Sequence, residues 1–160
     1  MSRAGKHTPP TLSNATAAAV LPALARNELR LTAHRRSVLG ALEEAERPLA
    51  TDEVVAAVGA PVSTVYRILA ELVDAGVVAR VAGAGGGDRH ELAEEFSRHH
   101  HHHLVCTGCG IVVDFEPSRQ LERLIEREVS ALSDSSGFEV SHHLFDMRGH
   151  CRECSSAANG

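Results

Sequence analysis

The chain has 160 residues, 43% apolar and 23% charged, a make-up that excludes a disordered chain and leaves room for one ordinary domain or two small ones. No apolar run approaches the roughly 20 residues that a bilayer span requires, which excludes an integral membrane protein of the helical kind. The net charge of −5 is uneven: residues 1–90 carry 10 Lys/Arg against 9 Asp/Glu, residues 91–160 carry 6 against 12, and nine of the eleven histidines lie between 90 and 150. The two halves are expected to do different work.

Residues 1–26 are rich in Ser, Thr, Ala and Pro and read as a tail with the start of a first helix from about Thr16. Arg3 and Lys6 ahead of "ATAAAVLPALA" (15–25) imitate a signal peptide, but Pro22 and the weak hydrophobicity favour a tail, and a cytoplasmic location is expected. "LTAHRRSVLGALEEAE" predicts a helix capped by Thr32, with Val38, Leu39, Leu42 and Ala45 at helical spacing and Pro48 beyond its end. "ATDEVVAAV" predicts a short helix capped by Thr51, with Asp52 and Glu53 in the first turn, where the dipole favours negative charge.

"VSTVYRILAELVDAG" predicts a third helix, capped by Ser63 and closed by Gly76, with one apolar stripe of Val65, Ile68, Leu69, Leu72 and Val73. Two short β-prone runs around "AGGG" then predict a hairpin over 77–92. Three helices followed by a hairpin make a winged helix over residues 27–90. With the stripe inward, Thr64 and Arg67 point outward and Tyr66 lies on the flank, a set suited to the major groove of double-stranded DNA. The first half is near neutral where DNA binders are usually more basic, and a dimer whose positive charge clusters at Arg35, Arg36, Arg67, Arg80 and Arg89 would meet that objection.

Residues 91–160 predict strand, strand, helix, strand, so the whole is α+β: a winged helix-turn-helix followed by a small α/β domain. "PSRQLERLIEREVSAL" predicts an amphipathic helix with Pro117 at its start and Leu121, Leu124, Ile125, Val129 and Leu132 turned inward. "GFEVSHHLFDMRGHC" predicts the third strand. So small a sheet leaves a face to cover, and a homodimer would cover it.

Cys106-x-x-Cys109 and Cys151-x-x-Cys154 have the spacing of a tetrahedral Zn²⁺ site, which four thiolates close to any catalysis. The run "HHHHHLVC" answers to strand alternation: His100 and His102 would face one side, and His99, His101 and His103 the other. One strand can thus feed two metal sites. Glu122, one of His142 and His143, and Glu91 with His90 are candidate further ligands.

"LRLTAHRRSVLGAL", "VSTVYRILAELVDAGVV", "RHELAEEFSRHHHHHLVCTGCG" and "SHHLFDMRGHCREC" together resemble the ferric uptake regulator family, from about residue 27 to 154. The resemblance implies a dimeric, metal-activated DNA-binding repressor of metal-homeostasis genes, acting on a palindromic operator. Carried over by position, it implies a regulatory site of His100, His102, Glu122 and His143. It also implies a hinge site drawing on Glu91, His101 and His103, and structural zinc on Cys106, Cys109, Cys151 and Cys154. The regulatory ion is expected to be Zn²⁺, with Fe²⁺ or Ni²⁺ as the alternative, since such ligands suit all three. The carboxylate at 122 and the lack of an Asp-rich set speak against a peroxide sensor.

Two readings lie outside that class. A zinc enzyme would need an open site with a general base, yet neither H-E-x-x-H nor H-x-E with a following P-C-x-x-C occurs. A metal-storage protein would explain the histidines and leave the winged helix without a role.

Overall fold

The computed structural model describes residues 9–45, 47–82, 87–97, 102–140, 143 and 145–158. Helices α1 (Asn14–Arg26), α2 (Ala33–Glu44), α3 (Thr51–Val58) and α4 (Val62–Asp74) form the first half with strands β1 (Leu49–Ala50), β2 (Val78–Ala82) and β3 (Asp88–Leu92). A 3₁₀ turn (Glu94–Phe96) leads to β4 (His102–Cys106), β5 (Val112–Phe115), α5 (Arg119–Ser136), β6 (Asp146–Gly149) and α6 (Arg152–Ala158). The strands make two three-stranded sheets, ordered β1-β3-β2 and β5-β4-β6, and β6 runs parallel to β4.

Local chemistry sets the helix ends. The Thr32 side chain accepts from Arg35 N at the start of α2, as its sequence predicts. Gly76 (φ +69°) lies beyond α4, and Val77 N donates to Leu72 O across it, a left-handed stop that only glycine adopts without strain. Two expected caps and one expected helix start move by a residue or two. Helix α3 starts at Thr51 itself, with Ala50 before it donating its N–H to the Glu53 carboxylate. Helix α4 follows Pro61, so Ser63 lies within its first turn. Helix α5 is capped by the Ser118 hydroxyl rather than begun by Pro117.

The main core gathers Val38, Leu39, Val54, Val65, Ile68, Leu69, Leu72, Val77 and Leu92. It extends into α1, which begins two residues before the expected Thr16 and buries Val20, Ala23 and Leu24 in it. The hydroxyls of Ser13 and Thr16 both donate to Glu43, fixing the start of α1 on α2. Gly40 of α2 explains the close packing, because a Cβ there would lie 2.7 Å from Leu12 N.

The second half differs from expectation in two ways. Helix α5 buries none of its residues, and Leu124 and Leu132 of its apolar stripe are exposed. Strand β6 spans only Asp146–Gly149, so His143 precedes it. A small cluster of Val81, Val105 and Val112 joins the wing to the second sheet. Arg89 of β3 spans the same junction, donating from Nε to Gly110 O (3.1 Å) and from Nη1 to Glu53 (3.1 Å) and Pro48 O. Glu53 also pairs with Arg47, and the hydrogen bond from Arg47 lowers its pKa to about 2 against the opposing effect of burial. No single helix among the described residues is long and apolar enough to cross a membrane.

Gly40→Ala tests the docking of the N-terminal segment. Alanine normally stabilises a helix interior by about 1 kcal/mol relative to glycine. Here the Cβ meets backbone, and the expected outcome is a net loss of about 1–3 kcal/mol, read as a lower midpoint in chemical denaturation.

Candidate functional site

Strand β4 places its neighbouring histidines on opposite faces, and both are almost fully buried: His102 is 2% exposed and His103 4%. His102 Nε2 lies 2.8 Å from Glu122 Oε1, and the other oxygen of Glu122 lies 3.9 Å from His143 Nε2. Ligand atoms of His102, Glu122 and His143 all fall within 4.8 Å of one another. The elements make this convergence: the Ser118 cap sets Glu122 in the first turn of α5, and His143 enters just ahead of β6. Phe115 and Phe145 pack on the His102 ring, with centroids 5.7 and 5.6 Å away, and limit its exposure to water.

On the other face, His103 Nε2 meets Glu91 of β3 at 3.1 Å and Asp114 of β5 at 3.9 Å, and these three form a second compact group. His103 Nδ1 turns away from it to Asp146 of β6, at 3.1 Å. Burial disfavours the charged imidazole. Hydrogen bonds to Glu91 and Asp146 and their charge outweigh it, so the His103 pKa is raised.

Asp114 and Asp146 were not among the sequence candidates. Their signal is register: each stands directly across from His103, one in the antiparallel and one in the parallel ladder. Together with Glu91 they surround His103 with carboxylates, which removes the argument from a missing Asp-rich set. His90 stays apart from both groups, buried in the first sheet, where desolvation lowers its pKa.

The four cysteines converge as their spacing predicts. Cys106, Cys109, Cys151 and Cys154 bring their sulfurs within 4.8 Å of one another, none of them in a disulfide. The Thr107–Cys109 turn presents one pair, and the other lies where β6 passes into α6. Backbone N–H groups of Cys109 and Cys151 hydrogen-bond the Cys106 sulfur and bring its pKa down to about 5, while the neighbouring thiols push Cys154 up to about 12. One sulfur is thus ready to ligate as thiolate, and a cation would have to displace the proton that Cys154 holds. Four converging thiols are the donor set of Zn²⁺, and this group can hold a metal ion.

The remaining sequence candidates sort unevenly. His100 and His101 lie outside the described residues. Tyr66 is 59% exposed and Arg67 is also open to solvent, whereas Thr64 is half-buried on α4. Arg35 is committed inside the molecule: its side chain is 14% exposed, and Nη2 binds Glu71 at 2.6 Å while Nη1 donates to Arg30 O. It does not present a free guanidinium to a ligand.

A winged helix joined to a small sheet that gathers three compact groups of metal-ligating side chains defines a metal-binding, helix-turn-helix class of protein. The model of the ferric uptake regulator family matches residues 26–148, and the chain belongs to that family. It is 29% identical over 131 residues to the peroxide-responsive repressor PerR of Staphylococcus aureus, covering 79% of this chain and 82% of that one. It is 32% identical over 95 residues to the ferric uptake regulation protein of Campylobacter jejuni, covering 59% and 55%. Among solved structures, the ferric uptake regulator of Vibrio cholerae superposes with a TM-score of 0.60 at 29% identity, covering 81% of this chain and 98% of that one. Members of the family are metal-dependent transcriptional regulators, not enzymes, which sets aside the zinc-enzyme reading.

Gly108 tests the thiol group, since a Cβ there would lie 2.9 Å from Cys154 Sγ. Gly108→Ala is expected to weaken retention of zinc by at least tenfold in competition with a chelator, with the far-ultraviolet dichroism of the first half unchanged.

Proposed function

We propose that this chain is a homodimeric, metal-gated repressor that binds a palindromic double-stranded DNA operator and controls genes of metal homeostasis, with Zn²⁺ as the signal. The observation that carries the proposal is the position of Glu91. It lies in β3, paired with Ala79 of β2 in the hairpin that closes the winged helix, yet its carboxylate meets His103 of β4 in the second sheet. An ion held by Glu91, His103 and Asp114, with His101 as a further donor, would tie the DNA-reading half to the half built from residues 91–160. Metal-free protein would sample many relative orientations, and the ion would select the one that spaces two recognition helices for the operator.

The Cys106, Cys109, Cys151 and Cys154 group would hold Zn²⁺ permanently and staple the end of the chain to β4. His102, Glu122 and His143, with His100, would form the regulatory site proper; two or three nitrogens and one carboxylate suit a tetrahedral Zn²⁺. The two carboxylates that share the Nε2 side of His103, Glu91 and Asp114, favour a harder ion there, which keeps iron sensing as the second reading. The DNA surface would be the exposed end of α4, with Arg67 toward bases or phosphates, Tyr66 beside it and Thr64 near the helix start. Leu104, Val113 and Met147 stand in one row across the second sheet and are all exposed, as are Leu124 and Leu132 of α5. A second copy covering that row would make the homodimer.

The test is a metal-buffered selection. Protein with its thiol site zinc-loaded is offered random duplexes with Zn²⁺, anaerobic Fe²⁺, Ni²⁺ or Mn²⁺ at controlled free concentration. Enrichment of one palindrome by Zn²⁺ is the expected result; enrichment by Fe²⁺ alone moves the signal to iron; no enrichment by any metal ends the repressor reading and leaves storage. Arg67→Ala is expected to weaken binding to the selected duplex by about 1–3 kcal/mol. Uptake of an ion at His103 must also displace the proton that its raised pKa retains. Affinity there should fall about tenfold per pH unit below that pKa, with proton release seen in calorimetry across buffers of different ionisation enthalpy.

A further inference from the structure

We infer that Asp146 is the positioning residue of the His103 site: it holds the His103 ring by Nδ1 so that Nε2 alone is aimed at the ion. This rests on the reading of Glu91, His103 and Asp114 as a metal site, and adds to it a residue that is not a ligand.

The geometry divides the two ring nitrogens. Nε2 lies 3.1 Å from Glu91 Oε2 and 3.9 Å from Asp114 Oδ1, and Nδ1 lies 3.1 Å from Asp146 Oδ1. Asp146 is absent from the compact group of ligand atoms, whereas Asp114 is in it. A neutral imidazole carries one N–H. A carboxylate at Nδ1 accepts that proton's hydrogen bond, fixes the tautomer and leaves the Nε2 lone pair for a cation. The carboxylate also raises the ring's strength as a donor.

The position of Asp146 is itself secured. It pairs directly with His103 in the parallel β4–β6 ladder, and that ladder is locked at its far end by Thr107 N donating to Gly149 O at 2.7 Å. Two residues beyond Gly149 stands Cys151, and three residues before Asp146 stands His143. Strand β6 therefore sets the angle of the His103 ring from a segment whose two ends belong to the other two candidate sites.

The experiment uses the full chain with zinc in its thiol site. Zn²⁺ affinity is measured by chelator competition for the wild type, Asp146→Asn, Asp146→Ala and His103→Gln, and ¹⁵N spectra of the histidine rings are recorded on zinc-loaded protein. The His103 signals are assigned by their loss in His103→Gln. The wild type should show His103 ligated through Nε2 with Nδ1 protonated. Asp146→Ala should weaken that one ion by about 10–100-fold, and Asp146→Asn, which keeps a neutral acceptor, by less. The thiol zinc and the ion at His102 should hold their affinities in both variants.

Equal affinity in Asp146→Ala and the wild type, or ligation through Nδ1, would overturn the inference. A uniform weakening of all three ions would overturn it too, because Asp146 would then serve only the fold. If His103→Gln leaves the ion count of the wild type unchanged, no ion sits at His103, and the metal-site reading falls with the inference.

Discussion

Alternation along β4 is the constraint on which the rest of the structure depends. Two consecutive histidines of one strand must face opposite ways, so a single backbone segment delivers an imidazole to α5 and the segment before β6 on one side, and to β3 and β5 on the other. Both rings are buried, and each meets carboxylates instead of solvent. A slip of one residue in register would exchange the two environments and break both groups at once. The thiol group guards against such a slip, since Cys106 ends the same strand and its sulfur accepts the N–H of Cys151 from beyond β6.

That strand also lies at the junction between the halves. Val81 of the wing packs on Val105 and Val112, Arg89 reaches the Gly110 carbonyl in the cysteine turn, and Glu91 reaches His103. Among the described residues this junction combines one small apolar cluster with polar contacts. An ion between Glu91 and His103 would add a bond of a different order of strength at that place. In the proposed function the fold supplies two rigid halves, and the ion decides the angle between them.

Much of this was legible in the sequence because it depends on local periodicity. The α4 stripe, the pairing of β2 with β3, the paired C-x-x-C and the opposite facing of His102 and His103 each follow from spacing along one segment. The features that were not legible depend on partners far apart in the chain. Asp114 and Asp146 become neighbours of His103 only through strand register. Arg35 looks like surface charge until Glu71, on another helix, is found beside it. The Ala-rich N-terminal segment lacks a strong stripe, and its docking depends on the missing side chain of Gly40. The α5 stripe is legible as apolar, and Leu121, Ile125 and Val129 are half-buried, but periodicity identifies a face to be covered without saying that Leu124 and Leu132 stay exposed.

Metal stoichiometry decides whether adjacent residues of β4 serve different ions. Zinc bound per chain is counted by mass spectrometry under native conditions for the wild type, His102→Ala, His103→Ala and the double variant. The account predicts that each single variant loses one ion, that the double variant loses two, and that the thiol-bound ion survives in all. Loss of the same single ion in all three variants would mean that His102 and His103 share one site, and the two-faced arrangement would be contradicted.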